Sequence, residues 1–249
     1  MQQEVRARKR STYGSVAKIG VIVPPNNLAN EVEFHAMAPK GVTSHFTRLP
    51  IHLDTSEAGQ KHFFGELEGA TRLIAEAGPD VVLYSCTVSS ILFSADEICA
   101  RMRKIAGVPA VTTAPSLVAA FKRLGAKKLA LVTPYDEPIT MHEKEWLEHE
   151  GFEVTSVVFH GFGPKDFVNL KLLGPDDAMR LVERAAPEKA DAIFISCADF
   201  ACADAIEEIE AKYGKPVVTS VQASLWSALR AIGKREPIPG YGRLLTMMD

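Results

Sequence analysis

Two thiols offer this chain its chemistry. A thiolate is both a nucleophile and a base, and two of the four cysteines close matching apolar runs. One run is Asp80-Val-Val-Leu-Tyr-Ser-Cys86 and the other Asp191-Ala-Ile-Phe-Ile-Ser-Cys197, offset by 111 residues at both ends (191 − 80 and 197 − 86). Short, bounded apolar runs of this kind fit strands covered on both faces. In open parallel sheets, ligands bind beyond the carboxyl ends of the strands. Two equivalent strand ends facing a cleft would therefore present two thiols to one substrate. One could remove a proton next to a carboxylate as thiolate while the other returns one as thiol. Alternatively, one could add to a double bond while the other protonates the neighbouring carbon. Both routes build negative charge that hydroxyls and backbone amides can stabilise. Neither needs a metal, flavin or pyridoxal phosphate, so no cofactor is expected. A single free cysteine is ordinarily a small buried hydrophobe, and Cys99 and Cys202 read that way. The repeat sets Cys86 and Cys197 apart.

Other groups gather near the same strand ends. The first strand, Lys18 to Val23, runs into Pro24-Pro25-Asn26-Asn27, where two prolines stop the ladder and the asparagines offer donors and acceptors. Taken alone, that segment is more simply a plain turn. Thr87-Val-Ser-Ser90 opens a helix expected to run to about Ala106, and a helix start lowers a thiol pKa and holds carboxylate oxygens. Tyr135 ends the strand that opens the second half, as a carboxylate donor or as a packing residue.

The elements that must position these groups repeat as well. Lys18-Ile-Gly-Val-Ile-Val-Pro-Pro25 resembles Lys128-Leu-Ala-Leu-Val-Thr-Pro-Tyr135 at an offset of 110. Gly107-Val-Pro-Ala-Val-Thr-Thr113 resembles Gly214-Lys-Pro-Val-Val-Thr-Ser220 at an offset of 107, and helical patterns follow both. Strand and helix alternate, four units per half. The expected fold class is α/β: two pseudo-symmetric, doubly wound parallel-sheet domains from an internal duplication, with the active cleft between them. The expected halves are 16–115 and 116–221, with 222–249 packing back on the first. In more detail, His45 to Leu53 reads as the second strand. Thr55 to Ala77 reads as a helix with Phe63, Phe64, Leu67, Ala70, Leu73 and Ile74 on its apolar face. Gly161 to Gly174 reads as a loop.

Composition narrows the partners. A net charge of −3 gives no sign of nucleic acid or an acidic membrane surface, and no apolar run approaches the ~18 residues that span a bilayer. The first fifteen residues are polar and basic with no apolar stretch, which reads as a frayed arm rather than a secretory signal. The cysteines lack metal-type spacing. A cytoplasmic protein with reduced thiols, acting on a small carboxylate and open to homo-oligomerisation, is the expectation.

Paired strand-end cysteines in duplicated halves resemble the Asp/Glu racemase superfamily. Within it, Ser196-Cys197, Asp204-Ala-Ile-Glu207, Pro216-Val-Val-Thr-Ser220, Trp226 and Pro239-Gly-Tyr-Gly-Arg-Leu244 look like the arylmalonate decarboxylases. Those enzymes use only the second cysteine and carry glycine at the place of Cys86. Keeping both thiols is the pattern of the maleate cis-trans isomerases and of the racemases. The isomerases also share a Pro-x-x-Asn turn, matched by Pro24 to Asn27, a tyrosine matched by Tyr135, and a loop asparagine matched by Asn169. The resemblance implies that Cys86 adds to C2 of a maleate-like substrate and Cys197 protonates C3. It further implies that Pro25, Asn27, Tyr135, Asn169 and the backbone after each cysteine (Thr87, Val88 and Ala198) hold the carboxylates. Racemisation of a 2-substituted acid, arylmalonate-type decarboxylation and simple carboxylate binding are the alternatives. Asp199, where the decarboxylases have glycine, places a negative charge beside the second thiol and would repel a dicarboxylate unless it points away.

Overall fold

The computed structural model describes residues 12–248, so most of the arm expected to fray lies outside the described residues. In the first half, strands β1 (Ala17–Val23), β2 (Val42–Arg48), β3 (Val81–Tyr84) and β4 (Ala110–Thr112) form a parallel sheet in the order β2-β1-β3-β4. In the second, β5 (Lys128–Tyr135), β6 (Glu153–Phe162), β7 (Ala192–Ile195) and β8 (Val217–Thr219) repeat that order as β6-β5-β7-β8. The duplication extends to single hydrogen bonds. Asp80 N donates to Lys18 O at 2.8 Å and Asp191 N to Lys128 O at 2.7 Å. At the other strand end, Ser85 N donates to Ile22 O at 2.9 Å and Ser196 N to Val132 O at 2.8 Å. Both cysteines thus leave their sheets at the same point of the fold.

Helices α1 (Ala29–Met37), α2 (Glu57–Ala75), α3 (Thr87–Leu92), α4 (Ala95–Ala106) and α5 (Thr113–Arg123) belong to the first run of units. Helices α6 (Glu137–His149), α7 (Pro175–Ala185), α8 (Ile206–Tyr213), α9 (Ser220–Ala231) and α10 (Gly242–Thr246) follow in the second. Gly107 and Gly214 end α4 and α8 in the left-handed conformation, φ 67° and 66°, which glycine enters without a Cβ clash. The helices α5 and α9, each following the last strand of its half, pack on each other. They join both sheets in one core, in which Leu117, Phe121, Val221 and Leu225 meet Ile19 and Leu83 on one side and Leu129 and Phe194 on the other. The tail after α9 touches both halves: Tyr241 Oη donates to Ala36 O at 3.1 Å, and Arg243 N to Glu210.

Four local expectations need correction. The second strand begins earlier, at Val42, and stops at Arg48; Leu49 N makes one further bond to Val23 O before Pro50, which has no N–H to offer. The helix after Cys86 is two helices. It breaks at Phe93, whose ring stacks on Phe63 at 4.1 Å, and restarts where Ser94 Oγ caps Glu97 N. Leu73 is 70 % exposed and lies off the apolar face of α2. The loop of 161–174 carries a 3₁₀ helix, Pro164–Leu172. Among the described residues, no helix is long and apolar enough to cross a membrane.

Candidate active site

Cys86 and Cys197 line the same narrow cavity between the halves, at 8 % and 4 % exposure. Their backbones differ although their positions repeat. Cys86 is the extended residue just before α3, φ −151° and ψ 116°. The Cys86 thiol donates to Ser89 Oγ at 3.4 Å, and the Val88 and Ser89 amides and the Tyr84 hydroxyl also interact with its sulfur. Burial pushes this thiol above its ordinary pKa, and all four groups pull it back.

Cys197 instead sits at φ 98°, a region that strains any residue with a Cβ. Its N–H donates to Ser220 Oγ at 3.1 Å, its sulfur accepts from Asp199 N at 3.3 Å, and the nearby Tyr135 hydroxyl opposes the rise in its pKa. Burial first, then the Asp199 carboxylate, push its thiol far up, so Cys197 holds its proton. Each cysteine therefore has a tyrosine and backbone donors beside it, and what sets the second apart is the Asp199 carboxylate, which adds to burial in raising its thiol.

Asn27 is 1 % exposed and lines the cavity while fastening the loop after the second cysteine. Its Nδ2 donates to Ala198 O at 2.6 Å and its Oδ1 accepts from Asn30 N at 3.1 Å. Thr87, Val88, Tyr135 and Ala198 line the same cavity, and Thr87 Oγ1 donates to Ser220 Oγ at 2.9 Å.

Two expected residues fall outside the lining. Pro25 is exposed, and Pro24 takes its place. Asn169 is half-buried and turned elsewhere, because residues three apart in a 3₁₀ helix share a face and the inward pair is Phe167 and Leu170.

Ile51, Phe167 and Leu170 also line the cavity and escaped the sequence reading, while Asn26 and the Asp199 carboxylate, placed near the strand ends by the sequence, join them there. The spacing of Phe167 and Leu170 was a usable signal once the segment was read as 3₁₀. Asn26 Nδ2 donates to Phe167 O at 2.8 Å, pinning that segment to the first half, and its Oδ1 is buried without a partner.

Asp199 answers the concern about its charge in part. Its Oδ1 accepts from Leu28 N at 2.7 Å and Ala29 N at 3.1 Å, capping α1 from across the cleft. That supplies a cap which α1 lacks from its own N-cap side chain. The second oxygen is buried and unpaired, and burial raises the carboxyl pKa.

Fold and site together define a pseudo-symmetric α/β protein with one thiol from each half in a shared cavity. The chain belongs to the arylmalonate decarboxylase family (Amdase), which it matches over residues 19–245. It is 28 % identical to a maleate isomerase of Nocardia farcinica over 243 residues, covering 92 % of this chain and 96 % of that one. It is 32 % identical to an arylmalonate decarboxylase of Bordetella bronchiseptica over 150 residues, 57 % of this chain and 60 % of the other. A solved structure of the Nocardia farcinica maleate cis-trans isomerase superposes with a TM-score of 0.83 at 25 % identity, covering 92 % of this chain and 98 % of that one. That structure is a cysteine-to-serine mutant with a covalently bound succinylcysteine intermediate.

Proposed function

We propose that this chain is a cofactor-independent, two-cysteine isomerase that acts next to a carboxylate, with cis-trans isomerisation of maleate as its reaction. The observation that carries the reading is the unequal pair in one cavity: burial raises both thiols, but four groups oppose the rise at Cys86, while the Asp199 carboxylate adds to it at Cys197. A nucleophile and an acid are what addition across a double bond requires.

In this reading the Cys86 thiolate attacks C2 of maleate, forming the S–C2 bond. The π electrons move to C3 and its carboxylate, and the Cys197 proton goes to C3. The C2–C3 bond, now single, rotates. The Cys197 thiolate takes the proton back from C3, the double bond re-forms, and the S–C2 bond breaks to return the Cys86 thiolate and fumarate. The Tyr135 hydroxyl and the amides after each cysteine support the charged carboxylates through the reaction. A succinylcysteine in the Nocardia farcinica relative is the adduct such a route passes through.

Proton NMR in deuterated water tests this directly, with maleate, an arylmalonate and chiral 2-aryl acids offered separately. Fumarate is the expected product. Carbon dioxide loss from the arylmalonate would indicate a decarboxylase. Deuterium entry into a chiral acid without net conversion would indicate a racemase, and no reaction at all would indicate a binding protein.

A further inference from the structure

Glu143 lies on α6, 2 % exposed, and reaches the residue just before the second cysteine: Ser196 Oγ donates to its Oε1 at 2.6 Å. Its other oxygen, Oε2, is buried with no partner. The first half repeats this arrangement with one difference. Ser85, just before Cys86, donates through Oγ to Asn30 Oδ1 on α1 at 2.8 Å. The serines are 111 residues apart (196 − 85) and the helix residues 113 (143 − 30), the spacing of the duplication. Asn30 then uses its second atom: Nδ2 donates across the halves to Ala198 O at 2.6 Å, in the segment after the opposite cysteine. Glu143 Oε2 is the counterpart of that nitrogen. Helix α6 packs against α3, the segment after the opposite cysteine on its side.

A carboxylate cannot do what the Asn30 amide does, because it has no proton to donate. A neutral carboxylic acid can. We infer that Glu143 works as a protonated acid, donating from Oε2 toward the α3 segment, and is the positioning residue of the second half as Asn30 is of the first. Its ionisation removes the donor and places an unpaired charge behind Cys197, releasing the alignment of the two thiols. Whether that stops turnover rests on the proposed two-cysteine reaction; whether Glu143 is protonated does not.

The surroundings favour the neutral form. Burial raises the Glu143 carboxyl to about 8, against the opposing pull of the Ser196 hydroxyl. From β5 the ionisable group beside it is Tyr135, which feels the Glu143 charge, and the Cys197 thiol lies beyond Ser196 after β7. Helix α3 carries no ionisable side chain, and the two on β6, Glu153 and His160, are exposed. On α6 itself Glu137, His142, Glu145, Glu148 and His149 are exposed and Lys144 pairs with Glu148 at 2.7 Å. No cation offsets a Glu143 carboxylate among these groups.

The test reads protonation and turnover separately on the full chain. Infrared difference spectra of Glu33→Gln, which removes the other strongly shifted buried glutamate, are recorded from neutral pH upward. A protonated-carboxyl band is expected at pH 7, titrating at about 8 and missing when Glu143→Gln is added. For the wild type, kcat should fall about tenfold between about pH 7 and 9 as the neutral form disappears. Glu143→Gln keeps a donor in place, so it should retain turnover and lose that fall, while Glu143→Ala should lose at least about tenfold at pH 7. No Glu143-dependent band at pH 7 would overturn the inference. So would a Glu143→Gln profile with its alkaline fall unmoved. Should Glu143→Gln fail to fold, the Glu33→Gln titration decides alone, and a spectrum with no carboxyl band lost between about pH 7 and 9 overturns the inference. Absence of cysteine-dependent turnover in the wild type would defeat the proposed reaction and leave the infrared result standing.

Discussion

Thr87 and Ser220 share a hydrogen bond of 2.9 Å that ties the residue after the first cysteine to the start of α9. Ser220 Oγ also accepts the Cys197 N–H at 3.1 Å, so one hydroxyl joins the loops of both thiols. It is fully buried, and so are its partners. This small hub is what converts two separate strand ends into one site.

Removing the hub should therefore cost stability and rate together. Ser220→Ala leaves a buried hydroxyl and a buried N–H unsatisfied, a loss of ~1–3 kcal/mol. It also frees a strained residue, and small misplacements of reacting groups cost up to ~100-fold. Urea denaturation and steady-state kinetics on the same preparation give both numbers. A destabilised variant with wild-type kcat would show that the hub supports the fold alone.

Variants of the two cysteines separate an isomerase from a decarboxylase. Loss of either thiol removes the acid or the nucleophile of an isomerase, ~10²–10⁴-fold or more in kcat. A decarboxylase needs only the proton donor, so Cys86→Gly would keep much of that activity while Cys197→Ala would lose it. Backbone geometry adds a separate expectation. At φ 98° glycine is at ease and alanine is not, so Cys197→Gly should be more stable than Cys197→Ala by about 1 kcal/mol. The reverse order in thermal melts would argue against the strained conformation.

Asp199 can be dissected by two substitutions. Asparagine keeps an oxygen for the Leu28 and Ala29 amides and removes the charge; alanine removes both. Alanine should cost ~1–2 kcal/mol as a lost helix cap, asparagine much less. Both should lower the Cys197 thiol pKa, since the carboxylate is the second cause of its rise after burial. The alkylation rate of Cys197 against pH, measured in a Cys86→Ala background, reads this. A curve that stays in place in both variants would mean that burial alone sets the thiol.

Much of this was legible in the chain. The matching runs before Cys86 and Cys197 gave the duplication and its two parallel four-stranded halves, and both cysteines line the cavity; the strand order within each sheet came from the structure alone. What the repeat could not give was set by asymmetry between the halves. The two cysteines have equal sequence positions and opposite backbone conformations, because only the second is held through its N–H by Ser220 and through its sulfur by Asp199 N. Asn169 was misplaced because a 3₁₀ segment turns by threes, and Pro25 because the turn presents its neighbour. The pairing of Ser196 with Glu143 is a contact between residues 53 apart, which no local pattern announces.

The buried acids also make a statement about folding. Glu33 accepts from Cys202 N at 2.7 Å and Ala203 N at 2.8 Å, yet burial still lifts its carboxyl to about 7, and that of Glu143 to about 8. A carboxyl whose folded pKa exceeds its unfolded 4.5 binds its proton more tightly in the folded state. Its contribution is whole below 4.5 and is lost as pH rises, up to the folded value. His45 and His52, both held low mainly by burial, work in the opposite direction, but their effect ends by their ordinary value of 6.5. Between pH 7 and about 8, Glu143 supplies most of the remaining slope. Unfolding free energy should drop there by about 1 kcal/mol from this group alone. Urea midpoints at the two pH values should show the decline in the wild type and a flatter line in Glu143→Gln. Stability that rises across that interval would mean that Glu143 is already ionised in the folded protein.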